Sequence, residues 1–336
     1  MQHILITGGA GYIGSHIIKS ISSYKDSKIT IIDDLSSSTF DSLPVLRRYF
    51  NKNQLKFFKI NLNKLEKLED IFKQSKFDAI IHLAASSQVN ESIALPLKYF
   101  LNNTVNTTHL INLCLKYKVN KFIFSSTAAV YGAPSSSPIK ESCSTKPINP
   151  YGISKKMCET MLMQASQAYK NFHCIILRYF NVAGADPEGE LGECHEPETH
   201  LIPLLIRSAQ NKNYTFKLYG DDHDTFDGTC IRDYIHVQDL ASAHIQALNF
   251  LQEHNCSEIF NCGYGTGYSV RQIIDTIKKL TATDFNIKIR PKRPGEPSTL
   301  VADNKKIINT LKWKYNFNAI EQICQSSIDW ELKKNT

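Results

Sequence analysis

No stretch of the 336 residues stays apolar for the roughly 18 positions that a bilayer-spanning helix needs. No positively charged leader precedes the first strand-like run, His3 to Thr7. The expectation is a soluble, cytoplasmic protein with no membrane partner. The nine cysteines are odd in number, scattered and without a C-x-x-C pair, which fits neither a disulfide framework nor a zinc site. Reduced thiols and no resident metal are expected. Basic residues form no block of five or more, so the formal charge of +7 reads as a solvated surface and not as a nucleic-acid footprint. Internal repeats and low-complexity segments are also lacking.

What is present is enough apolar material, 42% of residues, to bury a large core in one large or two closely joined domains. Short β-branched runs near 3–7, 28–33, 55–60, 78–84, 119–126 and 173–179 alternate with amphipathic stretches. Parallel strands need crossover connections of one hand, so this alternation predicts an α/β fold with a Rossmann-type, doubly wound parallel sheet. Residues 1–180 are assigned to that dinucleotide-binding domain and 181–336 to a smaller, mixed α/β substrate lobe. Helices are expected near 238–253 and 269–281, and strands near 258–261 and 286–290. Within the lobe, 225–260 is expected to return to the main sheet, with Arg232 to Val237 as a strand that rejoins it.

The first strand runs into Gly8-Gly-Ala-Gly11-Tyr-Ile-Gly14, which fits both GxxGxxG and, from Gly9, GxGxxG. Between a strand and a helix, such a turn lets backbone approach a dinucleotide pyrophosphate. Asp33 follows Gly14 by 19 residues, at the end of the second strand, where a carboxylate accepts from a ribose 2′-hydroxyl. Asp33 and Asp34 together repel a 2′-phosphate, which favours NAD over NADP. The alternative is a glycine turn that only packs helix on strand. His82, ending the fourth strand, reads as a structural imidazole and not a catalyst.

Tyr151 and Lys155 lie one helical turn apart on one face. A tyrosine acting as a base near neutrality needs about three pK units, or about 4 kcal/mol, of phenolate stabilisation. An ammonium within about 4–6 Å supplies one to three units, and an oxidised nicotinamide ring adds to that. Thr127, at the end of the fifth strand, is placed to bridge Tyr151 and a substrate hydroxyl. An ordinary amphipathic helix face would also produce Tyr-x-x-x-Lys.

With these motifs, and with Arg178-Tyr-Phe-Asn-Val-Ala-Gly-Ala-Asp-Pro187, His195-Glu-Pro-Glu-Thr-His-Leu-Ile-Pro203 and the run from Gly220 to Val237, the chain resembles the extended short-chain dehydrogenase/reductase superfamily. Within it, the resemblance is to the UDP-glucose 4-epimerase family and spans essentially the whole chain. It implies interconversion of UDP-galactose and UDP-glucose through a 4-keto sugar, with a retained NAD. Tyr151 would be the base and acid, Lys155 would bridge the nicotinamide ribose and tune it, and Thr127 would sit beside the 4-position. The implied cofactor contacts are Gly8, Gly11, Tyr12, Ile13, Gly14, Asp33, Asp34, Ser37, Ser38, Asn61, Leu62, Leu83, Ala84, Ala85, Ser87, Asn102, Ser125, Tyr151, Lys155, Tyr179 and Phe180. The implied nucleotide-sugar contacts are Thr127, Tyr151, Asn181, His200, Leu201, Tyr219, Arg232, Arg293 and Glu296, the arginines serving as donors to the pyrophosphate. The segments near 92–117 and 151–171 correspond to helices that pair across a homodimer.

Three positions depart from the family pattern. Asn61 stands for an adenine-binding Asp, Glu296 for an Asp near the uridine ribose, and Leu300 for a Tyr or smaller residue at the sugar pocket. Several other readings compete. A nucleotide-sugar 4,6-dehydratase needs an Asp-Glu pair where this chain has Ala128-Ala129. Epimerases of UDP-pentoses or UDP-N-acetylhexosamines use the same machinery. A silent nucleotide-binding protein on this scaffold is opposed by the intact Tyr151, Lys155 and Thr127, and no motif supports RNA binding.

Overall fold

The computed structural model describes residues 2–24, 26–211, 213–293 and 296–334. The strands are β1 (Gln2–Thr7), β2 (Ser27–Asp33), β3 (Leu55–Lys59), β4 (Ala79–His82), β5 (Lys121–Thr127), β6 (His173–Tyr179), β7 (Asn181–Ala183), β8 (Phe216–Tyr219), β9 (Ile231–His236), β10 (Glu258–Cys262), β11 (Gly267–Ser269), β12 (Ile287–Arg290) and β13 (Thr299–Leu300). Seven of them build one parallel sheet in the order β10-β6-β5-β4-β1-β2-β3. Strand order reverses between β1 and β4, which opens a crevice beyond their carboxyl ends.

Period-two side-chain alternation fills both faces of this sheet. Ile4, Ile6, Ile29, Ile31, Ile123 and Ile175 point into one buried cluster, and Leu5, Ile32, Phe122, Phe124, Cys174 and Ile176 into the other. The first cluster also takes Trp313, Ile323 and Ile328 from the C-terminal third, so that part of the chain shares a core with the sheet.

One expectation is corrected by the topology. The run from Arg232 to His236 does not rejoin the main sheet. It is the hub β9 of a four-stranded sheet, pairing with β7, β11 and β13, while β10 is the strand that returns, beside β6. Both runs are apolar and short, and only the positions of their partners separate them. No helix among the described residues is long and apolar enough to cross a membrane.

Candidate functional site

The Gly-rich turn sits at the strand-order reversal. Gly8 has φ +72°, and a Cβ there would lie 2.7 Å from Ala84 N, so β1 and β4 approach too closely for any side chain. A Cβ on Gly14 would strike the Gly8 carbonyl oxygen. At Gly11 the nearest atom to an added Cβ is Gly8 O at 3.4 Å, an ordinary contact, so protein packing does not account for glycine there. Gly11 caps the Tyr12–Ile21 helix without any side-chain hydrogen bond. The turn therefore offers an open face and uncapped helix N–H groups, which fits a dinucleotide pyrophosphate.

Around this turn the remaining predicted cofactor residues take distinct places. Asp33 accepts from Ala10 N at 3.0 Å and Leu35 N at 2.9 Å, and burial raises its carboxyl above the usual range. Asp34 Oδ2 accepts from the Asn61 amide at 2.5 Å, and Asn61 Oδ1 accepts from Asn63 N, so both ends of Asn61 already have partners. Tyr12 donates its hydroxyl to Gly184 O, which leaves its backbone, with that of Ile13, at the turn. Leu83 and Ala84 both donate their N–H to Thr7 O, and Ala85 follows them. Leu62 is buried, and Ser37 and Ser87 are exposed. Asn102 donates to Ser86 Oγ, and Ser38 bridges to His195. Tyr179 donates to His244 Nε2, since His244 Nδ1 is committed to Leu240 O, and Phe180 packs with Ala128, Val130 and Ala302.

Tyr151 and Lys155 face the sheet from the Pro150–Ala168 helix, which starts where Asn149 accepts from Gly152 N at 2.8 Å. Thr127, at the end of β5, lies beside the Tyr151 phenol, and its Oγ1 accepts from Ala129 N at 3.1 Å. Burial raises that phenol above its ordinary value, with Thr127 opposing. Lys155 is buried, and its Nζ donates to Ser125 O at 2.8 Å and lies 4.9 Å from the Phe124 ring centroid. Desolvation lowers its ammonium to about 8, against the pull of Cys158 and Glu159. Lys155 thus lies one helical turn from Tyr151 with its ammonium held on the Ser125 carbonyl. A bound oxidised nicotinamide is the additional positive charge that the arithmetic calls for.

Across the crevice, Arg232 and Arg293 converge on Glu296 Oε1, at 3.5 and 3.9 Å. The Arg293 guanidinium also stacks 4.2 Å over the Tyr219 ring. Asn181 is exposed on β7, and His200 caps the Leu201–Gln210 helix. Glu193 contacts both His200 Nδ1 and His195 Nδ1, and its charge raises His200 to about 9. Leu300, on β13, packs against the cluster of Ala128, Val130 and Phe180.

His82 has two partners, Thr7 Oγ1 at 2.6 Å and Thr107 Oγ1 at 2.9 Å, and burial lowers it to about 3, so it is a neutral structural imidazole. Sequence reasoning missed the network beneath Thr127. Arg178 donates twice to Glu159 at 2.8 Å, Ser126 donates to Glu159 at 2.6 Å, and Arg178 also donates to the Tyr131 hydroxyl. One signal was available, because Glu159 lies four residues beyond Lys155 and Arg178 interrupts an apolar strand. Asn103 was also missed. Its side chain ties Ser86 N and O to Ser154 Oγ, clamping the loop after β4 to the helix that carries Tyr151.

Residues 4–263 match the NAD dependent epimerase/dehydratase family. The chain is 41% identical over 328 residues to the UDP-glucose 4-epimerase of Azospirillum brasilense, covering 98% of this chain and 91% of that one. Among solved structures it is similar to the UDP-Glc/GlcNAc 4-epimerase of Campylobacter jejuni, with TM-score 0.85 and 46% identity over 99% and 100% of the two chains. It is also similar to the UDP-glucose 4-epimerase of Bifidobacterium longum in complex with NAD+ and UDP, with TM-score 0.94 and 34% identity over 99% of both. The chain therefore belongs to the NAD dependent epimerase/dehydratase family, as an epimerase that uses NAD.

Proposed function

We propose that this protein interconverts UDP-galactose and UDP-glucose by inverting the sugar 4-carbon. The observation that carries the reading is the convergence of Tyr151, Lys155 and Thr127 at the carboxyl end of β5, where Lys155 Nζ donates to Ser125 O at 2.8 Å, on the same edge of the sheet as the open Gly11 turn. When bound, NAD supplies the hydride acceptor and donor for C4. The cofactor residues named above hold it, mostly from residues 1–180, while 181–336 supply most of the sugar-nucleotide side.

Tyr151 takes the proton from the 4-hydroxyl, with the Thr127 hydroxyl beside the same position, and returns it to the opposite configuration. Lys155, which burial lowers to about 8, would hold the nicotinamide ribose and support the phenolate. Arg232 and Arg293 release Glu296 to hold the pyrophosphate, which leaves the sugar free to turn over between the two half-reactions. Asn181, His200, Leu201, Tyr219 and Glu296 complete the nucleotide side.

Purified protein given UDP-galactose without added NAD is expected to form UDP-glucose, and a Tyr151→Phe variant to lose that conversion. Absence of conversion by wild type, even with NAD added, would overturn the reading. Leu300, where the family pattern has a Tyr or a smaller residue, makes N-acetylated UDP-hexoses the second substrate class to test. The same assay with UDP-N-acetylglucosamine tests it.

Assembly as a homodimer is supported by a row of exposed apolar side chains at four-residue spacing. Ile93, Leu97, Leu101 and Val105 stand outward, with Leu97 71% and Leu101 62% exposed, and Met157 lies exposed on the neighbouring 150–168 helix. Nine free cysteines suit a reducing, cytoplasmic setting.

A further inference from the structure

Between Leu191 and the Leu201–Gln210 helix, the chain folds four ligand-bearing side chains onto one point. Glu193, His195, Glu198 and His200 each present one nitrogen or oxygen, and these atoms all lie within 4.8 Å of one another. Glu193 and Glu198 are buried, at 5% and 7% exposure. Glu193 Oε1 contacts both imidazole Nδ1 atoms, and the His195 and His200 rings meet edge to face. Glu198 Oε1 accepts from Thr199 N at 2.7 Å and His200 N at 2.9 Å. Glu198 Oε2 is buried and has no hydrogen-bond partner among the described residues.

That orphan oxygen separates this cluster from the other acidic grouping on the molecule. Asp186, Glu188 and Glu190 also crowd together, but the Lys19 ammonium already sits among them at 2.6–2.9 Å. The Glu198 Oε2 atom is buried beside a second carboxylate and two imidazoles without a donor of its own, which leaves it open to a metal ion. We propose that Glu193, His195, Glu198 and His200 form a site for a divalent transition-metal ion, zinc(II) in chemical class. Two imidazoles and two carboxylates without a thiolate are a borderline-soft, four-coordinate donor set.

The two carboxylates outweigh the partial positive charge at the start of the Leu201–Gln210 helix, which by itself disfavours a cation. Ligation through Nδ1 would replace the contacts that His195 and His200 now make with Glu193. The segment is anchored independently of any metal. Trp330 Nε1 donates to Glu193 O at 2.8 Å, Thr39 N donates to Cys194 O at 3.2 Å, and Ser38 pairs with His195. A metal here would cross-link the 193–200 segment to itself, next to the loop after β2. The proposal does not depend on the sugar specificity argued above.

The test uses full-length protein stripped with a chelator, titrated with zinc(II) by calorimetry and with cobalt(II) by visible absorption. Wild type is expected to bind one ion per chain, with tetrahedral d–d bands and no thiolate charge-transfer band. Glu198→Gln and His195→Gln are each expected to weaken binding by about tenfold or more. Gln keeps the Oε1 acceptor for the two N–H groups, and His195→Gln, at a partly exposed position, serves if the first variant does not fold. No saturable binding by wild type, variants that bind like wild type, or a thiolate charge-transfer band would each overturn the site.

Discussion

The Lys155 ammonium donates to the carbonyl of Ser125, 2.8 Å away, from a position almost wholly removed from water. Burial moves it from 10.5 to about 8. Below pH 8, folded and unfolded states both carry the charge, and only the folded state bears its desolvation. Between 8 and 10.5, the folded protein has released the proton while the unfolded chain still holds it, so stability rises with pH. Lys155→Met is therefore expected to lower epimerisation by about 10²-fold or more. It should also raise stability at pH 7, by on the order of 3 kcal/mol from the size of the shift. Urea unfolding at pH 7 and pH 10 checks this, and the advantage of the variant should shrink at the higher pH.

Gly11 and Gly14 are expected to respond differently to one methyl group. Gly11 has φ −76° and open space around its missing Cβ, so Gly11→Ala should fold with stability within about 0.5 kcal/mol of wild type and lose NAD affinity. Gly14→Ala forces a methyl onto the Gly8 carbonyl and should cost about 1–3 kcal/mol of stability. Calorimetric NAD titration and denaturant unfolding of both variants separate the two roles.

Removing one partner of the buried Arg178–Glu159 pair strands the other. Arg178→Met should destabilise the protein by about 3–5 kcal/mol, and adding Glu159→Gln should recover part of the loss. The double-mutant cycle, measured by urea unfolding, is sunk if the two substitutions add independently.

Leu97→Glu and Leu101→Glu place charges in the exposed apolar row without touching the crevice. Light scattering at micromolar concentration should show a dimer for wild type and a monomer for the variants. A monomeric wild type would end the dimer proposal.

What was legible in the sequence was what local periodicity carries. The six strands from β1 to β6 appear as short, largely continuous apolar runs, because a sheet covered on both faces takes apolar residues on both. The Gly-rich turn was legible because sterics allow few residues there, and Tyr151 with Lys155 because helical spacing alone puts them on one face. Only the tertiary structure decided which of two short apolar runs, β9 or β10, closes the main sheet, since pairing depends on partners far away in sequence. It also decided that Arg232 and Arg293, 61 residues apart in number, meet at Glu296, and that Lys155 spends its proton on a carbonyl. Which groups a charge faces, and how much water it keeps, are properties of packing between distant segments. Those properties set the pKa values and hydrogen bonds on which the chemistry runs.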